Sequence, residues 1–206
     1  MSVDGTALAM VGTSHRSAGL AVRERFHLTP AEAAVLAAEL PGEAVALATC
    51  NRTEVYVAGD LAPARAVLTA RGPAAALVER HGDDAVLHLL RVAAGLDSQL
   101  PGEAQILGQV REAYELARRA GTAGGVLGRL FEHALHTGKR VRSQTGVGTA
   151  QAAIPEAAAE LAREVVGDLV GKRVLVIGAG KMGELAASSF LARGAERVFV
   201  ANHRLE

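Results

Sequence analysis

The chemistry open to this chain begins at Cys50, its single cysteine. A lone thiol cannot close an intrachain disulfide, so it serves either packing or reaction. Free cysteine is among the most buried residue types and commonly packs as a small hydrophobe. The neighbours argue the other way. Cys50 stands in Ala48-Thr49-Cys50-Asn51-Arg52-Thr53-Glu54, and an adjacent arginine is the kind of neighbour that favours a nucleophilic thiolate. His88 lies on an apolar helical segment and reads by itself as a core histidine. It becomes a catalytic candidate only if the fold carries it to the thiol.

A second polar cluster runs from Leu96 to Gln109. Gln105 and Gln109 are four residues apart and share one helix face. With Ser98 they could form a wall of neutral hydrogen-bonding groups, suited to an uncharged or zwitterionic small ligand. The plainer alternative makes Ser98 a helix cap and puts Glu103 in the first turn of the next helix.

A third constellation is Gly178-Ala179-Gly180-Lys181-Met182-Gly183. It follows a strand directly and opens a helix, and a second strand follows it, the setting in which GxGxxG binds a dinucleotide. Gly178 permits the tight turn, Gly180 lets backbone approach a pyrophosphate, and Gly183 allows close helix–strand packing. The helix N-terminus supplies donors and a favourable dipole for phosphate. After the second strand come Asn202-His203-Arg204, and an arginine there suits the 2′-phosphate of NADP(H).

These residues need elements to hold them. Ala7 to Gly12 reads as a strand. Thr29-Pro30-Ala31-Glu32 reads as a capped helix start, with Pro41-Gly42 as its stop. A strand enters Cys50 and another leaves from Glu54 to Ala58. Asp60 to Arg80 reads as helical with a break at Gly72-Pro73. Helices are expected over 84–96, 102–120, 126–142 and 156–166, and an αβ pattern over 172–201. The plan is an α+β domain over 1–150, a connecting helix over 151–170, and a first βαβ of an α/β unit over 171–206.

Twenty-two basic and twenty-two acidic residues balance to zero charge, so nothing global advertises a nucleic-acid or membrane partner. A local basic bias lies between Leu107 and Gly146. The N-terminus lacks the pattern of a secretory signal, and no uninterrupted apolar run approaches the roughly 18 residues of a membrane span. A single thiol and no export signal point to the cytoplasm.

Together these motifs resemble the glutamyl-tRNA reductase family along essentially the whole chain. The matching segments are Gly12-Thr13-Ser14-His15, Arg23-Glu24-Arg25, Thr49 to Glu54, His88 with Arg91 to Ser98, Gly102-Glu103, Gln105 to Gln109, Gly138 to Arg142 and Gly178 to Gly183. The resemblance implies a catalytic domain on a ferredoxin-like core plus helices, then a linking helix and a Rossmann-type NADPH domain, here expected to be truncated at Glu206. A further helical dimerisation domain makes the family's full-length members homodimers.

By the same resemblance, Cys50 is the nucleophile and His88 a histidine important for activity. Thr49, Asn51, Arg52, Ser98, Glu103, Ala104, Gln105 and Gln109 contact substrate, with Arg52 suited to its carboxylate. Gly178, Ala179, Gly180, Lys181, Met182, Gly183 and Arg204 hold NADPH. The implied activity is reduction of glutamyl-tRNA to glutamate-1-semialdehyde through a cysteine thioester, the first step of tetrapyrrole synthesis, with the downstream semialdehyde aminomutase as a further partner. Lys139 to Arg142 are read as a contact to the tRNA backbone. The alternative is a non-reducing form that hydrolyses the thioester, or that only binds tRNA.

Overall fold

The computed structural model describes residues 7–99, 101–103, 105–148 and 154–202. The chain forms two compact units, Met1–Ala150 and Gln151–Glu206.

The first unit opens with β1 (Leu8–Ser14), the short α1 (Leu20–Arg23), a 3-10 turn at Glu24–Phe26 and α2 (Pro30–Glu39). A hairpin of β2 (Glu43–Ala48) and β3 (Arg52–Ala58) follows, then α3 (Ala62–Thr69) and β4 (Val78–His81). Three helices complete it: α4 (Asp83–Ala93), α5 (Gln105–Arg119) and α6 (Gly125–Gln144). The sheet order is β2-β3-β1-β4 with every neighbouring pair antiparallel. β2 and β3 are joined directly by their hairpin, whereas α1 and α2 lie between β1 and β2 and α3 lies between β3 and β4, the split β-α-β plan of an α+β fold.

Local chemistry explains why these elements start and stop where they do. Glu32 N–H donates to Thr29 Oγ1 at 3.3 Å, and Thr29 N–H donates back to Glu32 Oε2 at 2.7 Å. With Pro30 at the first helical position, this is the expected capping box on α2. At the hairpin, Thr49 N–H donates to the Arg52 carbonyl at 2.8 Å, leaving Cys50 and Asn51 as the two turn residues. The Thr49 hydroxyl accepts from the N–H groups of Asn51 (3.1 Å) and Arg52 (3.2 Å). Gly12 lets β1 and β3 approach closely, since a Cβ there would run into the Thr53 carbonyl and the Glu54 backbone.

The sheet is covered on both sides. Val11, Val55 and Val57 pack with Phe26, Leu36 and Leu68 on one face. Met10, Val45 and Tyr56 pack with Leu89, Val110 and Phe131 on the other. Tyr56 meets the Phe131 ring edge-on with centroids 5.5 Å apart. All seven residues of β3 are buried.

The structure corrects the helix expected over residues 60–80. α3 ends at Thr69, and Val78–His81 is the edge strand β4, paired to β1. Its Val-Glu-Arg-His run has no apolar alternation because an edge strand mostly faces water and is fixed by backbone bonds. Gly72 allows the chain to turn over Phe26, whose ring a Cβ would strike. α5 begins at Gln105, not at Gly102, so Ser98 does not cap it.

The second unit holds α7 (Ile154–Val166), β5 (Arg173–Ile177), α8 (Lys181–Ala192) and β6 (Arg197–Ala201). β5 and β6 pair in parallel from Arg173↔Arg197 to Ile177↔Ala201. α7 packs against α8 inside this unit. No helix among the described residues is long and apolar enough to cross a membrane.

Candidate active site

Cys50 is exposed at the tip of the β2–β3 hairpin. It lines a cavity of about 390 Å3 with Thr13, Leu20, Arg23, Glu24, His27, Thr49, Arg52 and Thr53. Three sources build this wall: the end of β1, the α1 segment with the turn after it, and the hairpin. Arg23 Nη1 donates to the Ala18 carbonyl at 3.2 Å, while its Nε is buried without a partner.

Behind the thiol, a buried polar network fixes Arg52. Its Nη1 donates to Glu54 Oε1 at 2.8 Å, and its Nη2 donates to the carbonyl oxygen of Asp97 and, at 3.2 Å, to Asp97 Oδ2. Glu54 also accepts from Tyr56 Oη at 2.8 Å, and its Oε1 lies 2.9 Å from His88 Nε2. Arg16 closes the network through a 2.7 Å pair with Asp97.

The electrostatics follow from this packing. Burial alone would raise the Glu54 carboxyl, but the Arg52 guanidinium and the His88 hydrogen bond outweigh it and hold Glu54 at about 2. Burial and then the neighbouring Glu54 charge push the Tyr56 hydroxyl well above its ordinary range. His15 donates its backbone N–H to the Asn51 carbonyl at 2.9 Å. Burial, reinforced by Arg52, lowers its imidazole below the ordinary value.

The fold therefore divides the residues singled out by sequence. Thr49, Cys50 and Arg52 share one cavity. His88 is held by Glu54 and lines two further cavities, neither of which includes Cys50. Ser98 is buried beside Asp97 in the chain. Glu103 presents its carbonyl to Arg142, and Gln109 lines a small recess walled by α2, β2 and α5. Gln105 is at the start of α5 and exposed. Ala104 and Arg204 lie outside the described residues.

Arg142 leaves the expected basic patch for a structural reason. Its two terminal nitrogens donate to the carbonyls of Glu103 and Gly102, each at 2.8 Å, clamping the chain ahead of α5. Sequence reading gave no role to Thr13, Arg23 or His27 in the Cys50 cavity, nor to Glu54 and Asp97 in the network. Thr13, Arg23, Glu54 and Asp97 belong to the motif segments of the sequence, whereas His27 carries no local signal.

In the second unit, Gly178 has φ 110°, in the left-handed region that favours glycine. A Cβ on Gly183 would strike the Gly178 carbonyl, so glycine is required for α8 to sit close to the turn. A Cβ on Gly180 would meet nothing within 4 Å. The space over the N-terminus of α8 is thus open, and Gly180 is its N-cap residue. These features fit a phosphate-bearing dinucleotide. Among the described residues, no group of His, Cys, Asp and Glu could hold a metal ion.

Sites of two kinds are then present: a thiol in an α+β unit, and a glycine-rich turn in a parallel βαβ unit. Comparison with known proteins gives the family. The model of the glutamyl-tRNA(Glu) reductase N-terminal domain matches residues 11–145, more than half of the chain, and the chain belongs to that family. Residues 160–206 match the shikimate / quinate 5-dehydrogenase model. A glutamyl-tRNA reductase of Thermus thermophilus is 48% identical over 200 residues, covering 97% of this chain and 51% of the relative. One from Rubrobacter xylanophilus is 45% identical over 214 residues, covering 97% and 50%. The solved glutamyl-tRNA reductase from Methanopyrus kandleri aligns with a TM-score of 0.66 at 35% identity, over 96% of this chain and 49% of that one. The chain spans about half the length of the relatives it matches.

Proposed function

We propose that this chain carries the thioester-forming half of an NADPH-dependent glutamyl-tRNA reductase, acting in the cytoplasm at the entry to tetrapyrrole synthesis. The observation that carries the proposal is the exposed Cys50 thiol, on a hairpin tip whose geometry Thr49 fixes, inside a cavity that Arg52 also lines. In this reading residues 1–150 are a ferredoxin-like catalytic domain, 151–170 a connecting helix, and 171–206 the first βαβ of a Rossmann-type domain.

The Cys50 sulfur attacks the ester carbonyl joining glutamate to the 3′ end of the tRNA. A C–S bond forms, the C–O bond to the ribose breaks, and the tRNA hydroxyl leaves with a proton. Arg52, preset by Glu54 and Asp97, offers its remaining donors to the glutamate carboxylate. Thr49 holds the turn, and Asn51 completes it. His88, which Glu54 holds in cavities that do not include Cys50, keeps its role of handling a proton or polarising the carbonyl on the strength of family membership alone. Ser98, Glu103, Ala104, Gln105 and Gln109 are carried as further substrate contacts on the strength of family membership.

The Gly178–Gly183 turn, with Ala179, Lys181 and Met182 in it, would hold the pyrophosphate of NADPH, and Arg204 the 2′-phosphate. When bound, NADPH supplies the hydride that converts the thioester to glutamate-1-semialdehyde and returns the thiol. The homodimer and the aminomutase partnership belong to the same reading.

One assay tests it. The chain is incubated with glutamyl-tRNA, with and without NADPH, and acyl-protein is trapped and weighed. A glutamyl adduct confined to Cys50 supports the proposal. A chain that forms no adduct, or a Cys50→Ser chain that still forms one, refutes it. Semialdehyde marks completed reduction, and free glutamate marks hydrolysis.

A further inference from the structure

The cavity between β4 and α4 has a chemistry that thioester formation leaves unused. It measures about 300 Å3 and is lined by Arg16, Arg80, Leu87 and Arg91 with Asp84, Asp97 and His88. A smaller cavity of about 120 Å3 shares Arg16, Arg80, His88 and Asp97 with it and adds Glu54. The two lie side by side along the network that fixes Arg52.

The charges here do not cancel. Asp97 is already held by Arg16 at 2.7 Å and by Arg52 at 3.2 Å. With Glu54 held by Arg52, Tyr56 and His88, that leaves Asp84, among the carboxylates lining the two cavities, to face Arg80 and Arg91. Neither side chain has a hydrogen bond or ion pair among the described residues, and Arg80 Nε is buried with no acceptor. A buried donor without a partner costs free energy that an incoming acceptor recovers. Guanidinium forks match phosphate oxygens in pairs. Leu87, more than half exposed on the same helix, gives a base or ribose an apolar surface to lie on.

The position of the cleft suggests what fills it. Arg16 follows His15, whose backbone N–H is bonded to Asn51 in the Cys50 turn. Arg16 and Asp97 therefore connect the cleft to the thiol through adjoining groups. An ester presented to Cys50 by an RNA 3′ end brings phosphodiesters within one or two nucleotides. A lone carboxylate would need only one guanidinium, whereas Arg80 and Arg91 stand on separate elements.

We propose that this cleft binds the phosphodiesters of the single-stranded 3′ end of the substrate RNA, with Arg80 and Arg91 as the phosphate-binding residues. The proposal rests on the aminoacyl-RNA reading of the Cys50 site and extends it to residues that reading leaves idle.

The test is a titration of the full 206-residue chain with unacylated cytidine-cytidine-adenosine trinucleotide at several salt concentrations. Arg80→Gln and Arg91→Gln should each weaken binding on the order of tenfold. Each should also flatten the log Kd against log salt slope by about 0.7. Arg80→Lys, which keeps the charge but not the fork, should restore the slope and only part of the affinity. It also serves as the readout if a glutamine variant fails to fold. Cys50→Ser should bind as the wild type does, so loss of thioester chemistry would leave this result standing. Absence of wild-type binding, or arginine variants with unchanged affinity and slope, would overturn the proposal. NADPH displacing the trinucleotide with the same arginine dependence would reassign the cleft to a dinucleotide.

Discussion

Two ends of one short segment, Cys50 and Glu54, differ in almost every physical respect. Cys50 is exposed on a turn beside a cavity of about 390 Å3. Glu54 is buried in the sheet, with its two carboxylate oxygens contacted by Arg52, His88 and Tyr56. The first group is free to react. The second is almost wholly buried and immobilised by charge-assisted bonds. Arg52 stands between them, lining the thiol's cavity while anchored to the network. Reactivity and rigidity are thus divided between neighbours, and the rigid part orients the residue that faces the reactive one.

The sharpest way to break this division is Cys50→Ser, which should abolish acyl-protein formation completely while leaving the unfolding midpoint unchanged, since the side chain is exposed. Next in size is Glu54→Gln. It strips the charge opposite a buried guanidinium and should cost about 3–5 kcal/mol in urea unfolding. The pH dependence of that cost carries a sign. Because folding holds Glu54 at about 2, below its ordinary 4.5, the stabilisation is complete above 4.5 and disappears as pH falls through 2. Wild type and Glu54→Gln should therefore converge in stability on acidification; curves that stay parallel would contradict the assigned ionisation.

His88→Gln sharpens the comparison from the other side. A role in proton transfer predicts a loss of about 10²-fold in thioester formation, with only a small change in stability. An unchanged acylation rate would leave His88 as a packing partner of Glu54. The smallest effect belongs to Thr49→Val, which removes the acceptor for two turn N–H groups. About 1 kcal/mol of stability should be lost, with a slower acylation of Cys50 measured by intact mass.

Much of the frame was readable residue by residue. The capping box at Thr29–Glu32, the hairpin around Cys50 and the strand–glycine–helix passage at Gly178 are local events, decided by side chains within a few positions of each other. β4 was not readable, because an exposed edge strand of four residues carries no periodicity and owes its existence to β1. The start of α5 was misplaced for a related reason: Arg142, forty residues on, ties down the carbonyls of Gly102 and Glu103.

The candidate site divides along the same line. The sequence by itself determined that the chain has one thiol, that Thr49, Asn51 and Arg52 flank it, and that a glycine turn follows later. These are matters of composition and short-range order. Only the tertiary structure decided that Arg23 and His27 face the thiol, that His88 answers to Glu54, and that Asp97 shares its charge between Arg52 and Arg16. Each of those relations joins elements far apart in the chain, and the strand register and helix packing that bring them within bonding distance are set by the buried core as a whole.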